Sequence, residues 1–420
     1  MDADGSERHE IAGDFDPVGA SATLMTVPSG VAAEPRRRVL SVDIIRGAAM
    51  VLMVLDHTRD FAHDAALRAD PLDVMQPDPT AFFTRWITHF VAPAFVLLAG
   101  VAARLQLQRG RSRSSLAKYL VVRGLLLIGL ELTVVRLGIY FSADLSPLAL
   151  LQVIWVLGVS MIVLAGLLFL PDPAILAFAL VLILGHNATD AVTVDRPPWQ
   201  ELWALLHGGA FLVADSTVFV LYPLVPWIGV MALGYILGRT FEWPRRQRTR
   251  LLVALGVGLV LGWIALRWLN GYGDPSHRIT FPDPSRTVLS FLNATKYPPS
   301  LEFLLMTLGP VLIVLAVVES RTLGRVGVWL ATFGTVPLFF YLVQWYAAHG
   351  AAVVLELVAG QDVAWQFMVP QGGPRLIPED AGFPLWAVYI LWMAIILALY
   401  PLCRWYSRLR QRRGGVLRYF

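Results

Sequence analysis

The sequence predicts an all-α fold: a polytopic membrane helix bundle of about ten transmembrane helices with both termini cytoplasmic. Three observations carry it. Of 420 residues, 56% are hydrophobic and only 15% charged, against ~25% charged in soluble domains. Mean hydropathy is +0.61, and the apolar residues fall into long uncharged runs. Arginine crowds alternate loops. The same numbers exclude other classes. Cys403 is the single cysteine, so neither a disulfide framework nor a multi-cysteine metal site is available. A net charge of +4, dispersed among apolar helices, does not suit nucleic acid.

Taken in order, residues 1–35 are polar and lack a basic segment leading into an apolar stretch. They read as a disordered cytoplasmic tail ending at Arg36, Arg37 and Arg38. Ten apolar runs follow, near 39–57, 86–104, 121–141, 148–170, 174–190, 217–238, 251–269, 301–319, 328–350 and 384–403. Each is long enough, or nearly so, to span ~30 Å of hydrocarbon. The fifth carries Asn187 and Asp190 near its end and is the least apolar. One membrane domain, 36–405, is expected, then a basic cytoplasmic tail over 406–420. With the N-terminus inside, the loops and flanks on that side hold 22 Arg and Lys against 7 opposite, as the positive-inside rule requires. Trp86, Trp199, Trp203, Trp243, Trp345 and Trp405 lie near span ends, where interfacial aromatics belong. No repeat relates the two halves, which disfavours many transporter classes. The outer loops are long and rich in Pro, Asp, Trp and His, so function is expected on that side.

The first run opens Ser41-Val-Asp43-Ile-Ile-Arg46-Gly47. Asp43 and Arg46 share a helix face and can neutralise each other in the bilayer. Gly47 beside them allows close approach of a backbone or a ligand. The three read as a polar floor reached from the cytoplasm, or as a structural ion pair. The run closes on Asp56-His57, roughly 20 Å further along the helix. Arg85 and His89 begin the second run, and His349 lies near the far end of the ninth. Topology therefore puts His57, His89 and His349 at one membrane depth without establishing that they touch. Any one of them alone is an ordinary interfacial polar cap. Together with Asp56 and Arg85 they suggest a proton-handling site. No ligand-spaced pair on one helix supports a metal.

The segment Asn293-Ala-Thr295-Lys296-Tyr297-Pro298-Pro299-Ser300 holds one of the chain's two lysines. Its prolines stiffen the backbone and set Lys296 and Tyr297 at the bundle mouth, where both can stabilise an oxyanion or act as an interfacial anchor. Tyr222, Pro223 and Pro226 interrupt the sixth run, which implies irregular backbone lining a cavity. Glu131 and Arg136 are five apart in an apolar run, so each is expected to pair with another helix. The basic loop from Arg104 to Lys118, with Arg123 beyond it, sets orientation or meets the phosphates of an anionic cofactor. His63, His207 and His277 fall in outer loops.

The stretches SVDIIRG (41–47), LDHTRDF (55–61), TRWITHFVAPAFVLLAG (84–100), YPLVPWIGVMALGY (222–235) and NATKYPPSLEFLLMTLGP (293–310) resemble the bacterial branch of the heparan-alpha-glucosaminide N-acetyltransferase-like family of transmembrane acyltransferases. The likeness covers most of residues 36–405. The resemblance implies transfer of an acetyl or other acyl group from cytoplasmic acyl-CoA to an amine or hydroxyl acceptor on the outer face, a glycan or small molecule. It also implies a multi-pass protein of the bacterial plasma membrane. On this reading His57, His89, Asp56 and His349 are catalytic. Arg85, Lys296, Tyr297, Ser300, Tyr222 and His63 bind acceptor, His63 being the nearest loop counterpart of the lysosomal relative's active histidine. Asp43, Arg46, Gly47 and Arg123 face the co-substrate, acetyl-CoA or another acyl-CoA. In register with SVDxxRG, His57 stands where the lysosomal relative has asparagine and His89 where it has aspartate. Gln344 occupies a region where bacterial relatives often carry histidine. Direct transfer and an acyl-histidine intermediate are both open, and a homo-oligomer is compatible with the apolar surface. The opposing class is a proton-coupled transporter or a lipid or solute exporter, because intramembrane Asp, Glu, Arg and His also build proton relays. A silent receptor or assembly partner is the third.

Overall fold

Backbone N–H and C=O groups without water must bond within their own segment, and the apolar runs accordingly fold as helices. The computed structural model describes residues 39–413 except 145–147, 214–215, 322 and 370–376. The tail expected over 1–35, the Arg36–38 cluster, Arg375 and residues 414–420 lie outside the described residues.

The chain opens with α1 (Leu40–Ala62), α2 (Asp64–Arg68), α3 (Pro79–Thr88) and α4 (Val91–Gln108). Next come α5 (Arg113–Leu130), a π-helical turn (Glu131–Val135) and α6 (Arg136–Tyr140). Strand β1 (Leu148–Leu151) leads into α7 (Val153–Leu167) and α8 (Asp172–Gly185). Helix α9 (Trp199–His207) precedes a hairpin of β2 (Gly209–Val213) and β3 (Ser216–Val220), then α10 (Leu224–Leu237). The remainder is α11 (Arg245–Leu269), α12 (Pro284–Leu292), α13 (Leu301–Ser320), α14 (Gly324–Gly334), α15 (Pro337–Ala359) and α16 (Leu385–Arg413).

Among the described residues, 7 helices are long and apolar enough to cross a membrane: Pro79–Gln108, Asp172–Thr189, Leu224–Glu242, Arg245–Leu269, Leu301–Ser320, Pro337–Ala359 and Leu385–Arg412. The fifth run is one of them. This is a multi-pass membrane protein. Helix α1 is 23 residues long but carries Asp43, Arg46 and Asp56, and α7 is apolar but shorter.

Two expectations change. The fold is not wholly helical. The start of the fourth run is β1, which pairs parallel with β3 in the register Leu148↔Thr217 to Leu151↔Val220, and β2 pairs antiparallel with β3. The ninth run is not one helix. It breaks at Thr335–Val336, ahead of Pro337, because a residue before proline is driven out of the α region. Helix α15 then continues ten residues past His349, so that histidine lies well inside the helix and not at its end. Glu131, expected to pair with another helix, reaches the start of α7, where its Oε2 accepts the amides of Ile154 (3.1 Å) and Trp155 (2.9 Å). It serves as a cap donated by another helix, the local Gln152 making none.

Helix α1 is the axis around which the site is built, and α14 crosses it at backbone contact. A methyl added at Gly47 would collide with the Leu330 carbonyl, and one at Gly334 with that of Asp43. Gly47, expected to admit a backbone or a ligand at close range, admits the backbone of α14 at Leu330.

Candidate active site

Asp56 stands near the distal end of α1, and three donors converge on it. The i,i+3 spacing of α1 brings the Arg59 guanidinium to 2.8 Å. From α3, Arg85 NH1 spans both carboxylate oxygens at 2.5 and 2.6 Å, and Thr88 Oγ1 donates at 2.9 Å. Arg59 also donates to Asp60 at 2.6 Å. Its side chain is 2% exposed, and those of Asp56 and Arg85 are 12% and 15%. Arg59 Nε and NH1 have no partner among the described residues.

His57 is oriented from α15. Its Nδ1 lies 2.8 Å from Gln344 Oε1, and Gln344 Nε2 donates to the Tyr341 carbonyl at 3.2 Å. That second bond fixes which end of the amide faces the ring. Gln344 therefore accepts, Nδ1 carries the proton, and Nε2 keeps the lone pair. The imidazole stacks on Trp345 with centroids 3.6 Å apart and planes 18° from parallel. His89 sits at the break between α3 and α4, fully buried. Both its ring nitrogens lack a partner among the described residues, a state costing about 1–3 kcal/mol per buried group. Its ring meets Phe303 edge-on at 5.4 Å.

The strap 293–300 brings in the third set of groups. Asp274 accepts from Thr295 N (2.8 Å), Thr295 Oγ1 (2.6 Å) and Ser300 Oγ (2.8 Å). Arg267 spreads its guanidinium over the carbonyls of Ser290, Phe291 and Asn293, with Glu302 Oε2 at 3.0 Å. Trp86 Nε1 holds Leu292 O at 3.1 Å, and His186 Nε2 lies 2.9 Å from Pro299 O. On this anchored strap the buried Lys296 ammonium lies 5.1 Å from the Tyr297 ring centroid. It is close enough to act electrostatically on Asp56, His57 and His89. Tyr297 Oη is 3.5 Å from Tyr222 Oη. Burial works against a Tyr297 phenolate, but the charges of Lys296 and Arg85 outweigh it and hold the hydroxyl below the usual tyrosine range. Tyr222 moves the other way, raised by burial and by its neighbour Tyr297.

The structure thus gathers Asp56, His57, Arg85, His89, Lys296, Tyr297 and Tyr222. Other expected residues fall outside this group. Ser300 does not face it: its hydroxyl donates to Asp274 and accepts from Phe303 N at 3.0 Å, capping α13. His349 is separated from His57 by Trp345 and Phe61. Its ring is sandwiched between Phe61 (4.4 Å) and Phe141 (4.0 Å), with Nδ1 3.0 Å from Gly138 O. His63 is buried just beyond α1, 3.5 Å from Asp64, and burial lowers its pKa. Asp43, Arg46 and Gly47 lie at the opposite end of α1. There Arg46 donates to Leu98 O at 2.7 Å and sits 3.7 Å from Asp43. Arg123 bonds Tyr119 of its own helix at 3.2 Å. Arg136 lies 5.6 Å from the ring of Tyr140 in its own turn. Gln344, Trp345, Arg59 and Thr88 were not among the expected site residues. Arg59 and Thr88 had a signal, each lying three residues after a partner already singled out. No group of three or more His, Cys, Asp or Glu placed to hold a metal occurs among the described residues.

Comparison with known families gives a match over residues 38–266 to the family described as heparan-alpha-glucosaminide N-acetyltransferase, catalytic. The matched segment contains Asp56, His57, Arg85, His89 and Tyr222, and ends before Lys296 and Gln344. No curated protein matches the chain.

Proposed function

The chain belongs to the heparan-alpha-glucosaminide N-acetyltransferase catalytic family, and from that premise we propose that it moves an acetyl or other acyl group from acyl-CoA to an amine or hydroxyl acceptor, a sugar being the best fit. Acetyl-CoA is the donor of the family in general. In this reading ten helical segments cross the bacterial plasma membrane. These are α1, α3–α4, α5–α6, α7, α8, α10, α11, α13, α15 and α16, with both termini and the arginine-rich loops cytoplasmic. The donor enters from the arginine end and the acceptor from the loop end.

The observation that carries the proposal is His57, whose proton is placed on Nδ1 by Gln344 so that Nε2 is left as a base. The Lys296 ammonium acts on both His57 and the buried His89, whose ring nitrogens have no partner among the described residues. As the acceptor's nitrogen or oxygen bonds to the acyl carbon, its proton passes to His57 Nε2. Negative charge collects on the carbonyl oxygen, where the Lys296 ammonium and the Tyr297 hydroxyl stabilise it. Collapse breaks the C–S bond, and the His57 imidazolium returns the proton to the departing thiolate. His89 supplies a hydrogen bond to the acceptor. Asp56 is not the base. It fixes Arg85 and Arg59, and thereby the charge surrounding His57.

Labelled acetyl transfer in sided proteoliposomes with mixed glycan acceptors tests this. A positioned base contributes about 10²–10⁴ in rate, so His57→Ala should lose that much while inserting normally, and His89→Ala should lose acceptor-dependent turnover. Unchanged rates in both variants would remove the proposal. Solute flux driven by a pH gradient without acyl-CoA consumption would replace it with a transporter.

A further inference from the structure

The end of the bundle away from His57 holds a cleft of about 390 Å³, within the range of small-molecule sites. Three helices begin at its wall, and none is capped by a side chain: Val39, Pro244 and Leu323 stand at the N-cap positions of α1, α11 and α14 without a capping bond. Their leading amides and dipoles favour an anion. Arg245, Arg248 and Arg321 line the same cleft, with Glu319 its one acidic residue. Glu319 is already committed. It takes Arg248 Nε at 2.5 Å and Ser41 Oγ at 2.9 Å, while Arg248 NH1 donates to Trp243 O at 3.1 Å. Arg245 and Arg321 are exposed, and their guanidiniums bond no described residue. The cleft therefore presents two uncommitted cations and no uncommitted anion.

Its remaining walls are apolar. Ile44, Val318 and Leu323 line the interior. At its mouth Leu40 and Val328 are 56% and 62% exposed, and Val314, one turn from Val318, is 49% exposed. Leu40 on α1, Val328 on α14 and Val314 on α13 thus give the cleft an apolar border on the outside of the bundle. A soluble polyphosphate would satisfy the arginines and make no use of the apolar border. A molecule with a phosphate at one end and hydrocarbon at the other covers both.

We propose that this cleft binds an anionic phospholipid, with the phosphate on Arg245 and Arg321 and one acyl chain along Leu40, Val328 and Val314. The site is separate from the group around His57 and does not depend on the reaction assigned there.

The test uses the full-length protein in detergent, titrated with phosphatidylglycerol, phosphatidylcholine and coenzyme A. Native mass spectrometry reads occupancy and thermal unfolding reads stabilisation. Phosphatidylglycerol should bind and raise the unfolding midpoint, and phosphatidylcholine should not. An arginine at a membrane surface contributes roughly fivefold in affinity, so Arg245→Gln with Arg321→Gln should weaken phosphatidylglycerol about twenty-five-fold. Both positions are exposed, and the variant should fold as the wild type. Equal binding of the two lipids, or undiminished binding by the double variant, would overturn the proposal. Displacement of phosphatidylglycerol by coenzyme A would also overturn it, and assign the cleft to the donor's phosphates.

Discussion

Gln344→Leu isolates the tautomer of His57 from everything else in the site. The substitution is close to isosteric but replaces the amide with an apolar side chain, deleting the acceptor 2.8 Å from Nδ1. The lost bond has a net worth of ~1 kcal/mol, and a buried donor left unpaired costs ~1–3 kcal/mol. At 1.4 kcal/mol per factor of ten, this erodes the preference for the Nδ1–H tautomer by roughly five- to 150-fold. The ring then spends most of its time with the proton on Nε2, where it cannot act as a base. We expect kcat to fall about ten- to hundredfold, with the KM for acyl-CoA unchanged if Gln344 acts through His57 alone. Stacking on Trp345 is untouched, but the unpaired buried donor costs stability, so the unfolding midpoint in detergent should fall modestly while the protein still folds. Steady-state transfer of labelled acetyl groups at saturating acceptor gives the readout. Gln344→Glu is the informative companion: it keeps an acceptor on Nδ1 and should retain far more activity than the Leu variant. A Leu variant with wild-type kcat would refute the assignment of His57 Nε2 as the base.

Three further outcomes follow from the same geometry. Tyr297 is held below the usual tyrosine range by Lys296 and Arg85; as pH rises through that lowered value the donating hydroxyl is lost, so transfer should fall on the alkaline side, and Tyr297→Phe should remove that limb from the pH profile of kcat. Asp274→Ala strands the donors of Thr295 and Ser300, at ~1–3 kcal/mol each. The strap carrying Lys296 should loosen, lowering kcat more than tenfold, while Asp274→Asn, which keeps one acceptor oxygen, should recover part of it; equal activity of all three forms would show that the strap is not held by Asp274. Gly47→Ala drives a methyl into the Leu330 carbonyl, and overpacking of this kind costs ~1–3 kcal/mol or more; a clear drop in unfolding midpoint is expected, and an unchanged midpoint would mean that α14 can move away from α1.

Membrane helices were readable because length and apolarity directly reflect the hydrocarbon thickness they must cross. The structure departs from the apolar pattern where that criterion is blind. Ser216–Val220 is apolar and β-branched, and a run so short does not distinguish strand from helix; it pairs with β1 across the intervening helices. Thr335–Val336 carried a usable signal in Pro337, which apolarity alone overrode. In the site, the depth of His57 and His89 followed from topology, whereas their neighbours did not. Ser300 looked like a site residue by adjacency to Tyr297, yet its hydroxyl belongs to Asp274, 26 residues away. Gln344 registered in sequence only as a departure from histidine. Its role appears once α15 is packed on α1.

Asp56 bears on the choice between the two functional classes that the sequence leaves open. A proton-coupled carrier needs a carboxylate that gains and loses its proton during turnover. Asp56 accepts from Arg85 on both oxygens, from Arg59 and from Thr88, so protonating it would weaken several charge-assisted bonds at once and strand two buried guanidiniums. Such a group is a fixed charge. With Asp60 it faces Arg59 and Arg85, which leaves the Lys296 ammonium without a carboxylate of its own among the site residues. Uncompensated buried charge is costly, and a site that keeps one is suited to a negative charge that appears only during reaction, such as the oxyanion of an acyl transfer. A carrier built on Asp56 would lose its function on Asp56→Asn. For the acyltransferase the same change should misplace Arg85 and slow transfer, and an added anion should compete more strongly because the site gains positive charge. Chloride or sulfate inhibition that deepens in Asp56→Asn would support the fixed-charge role, and inhibition that stays the same would refute it.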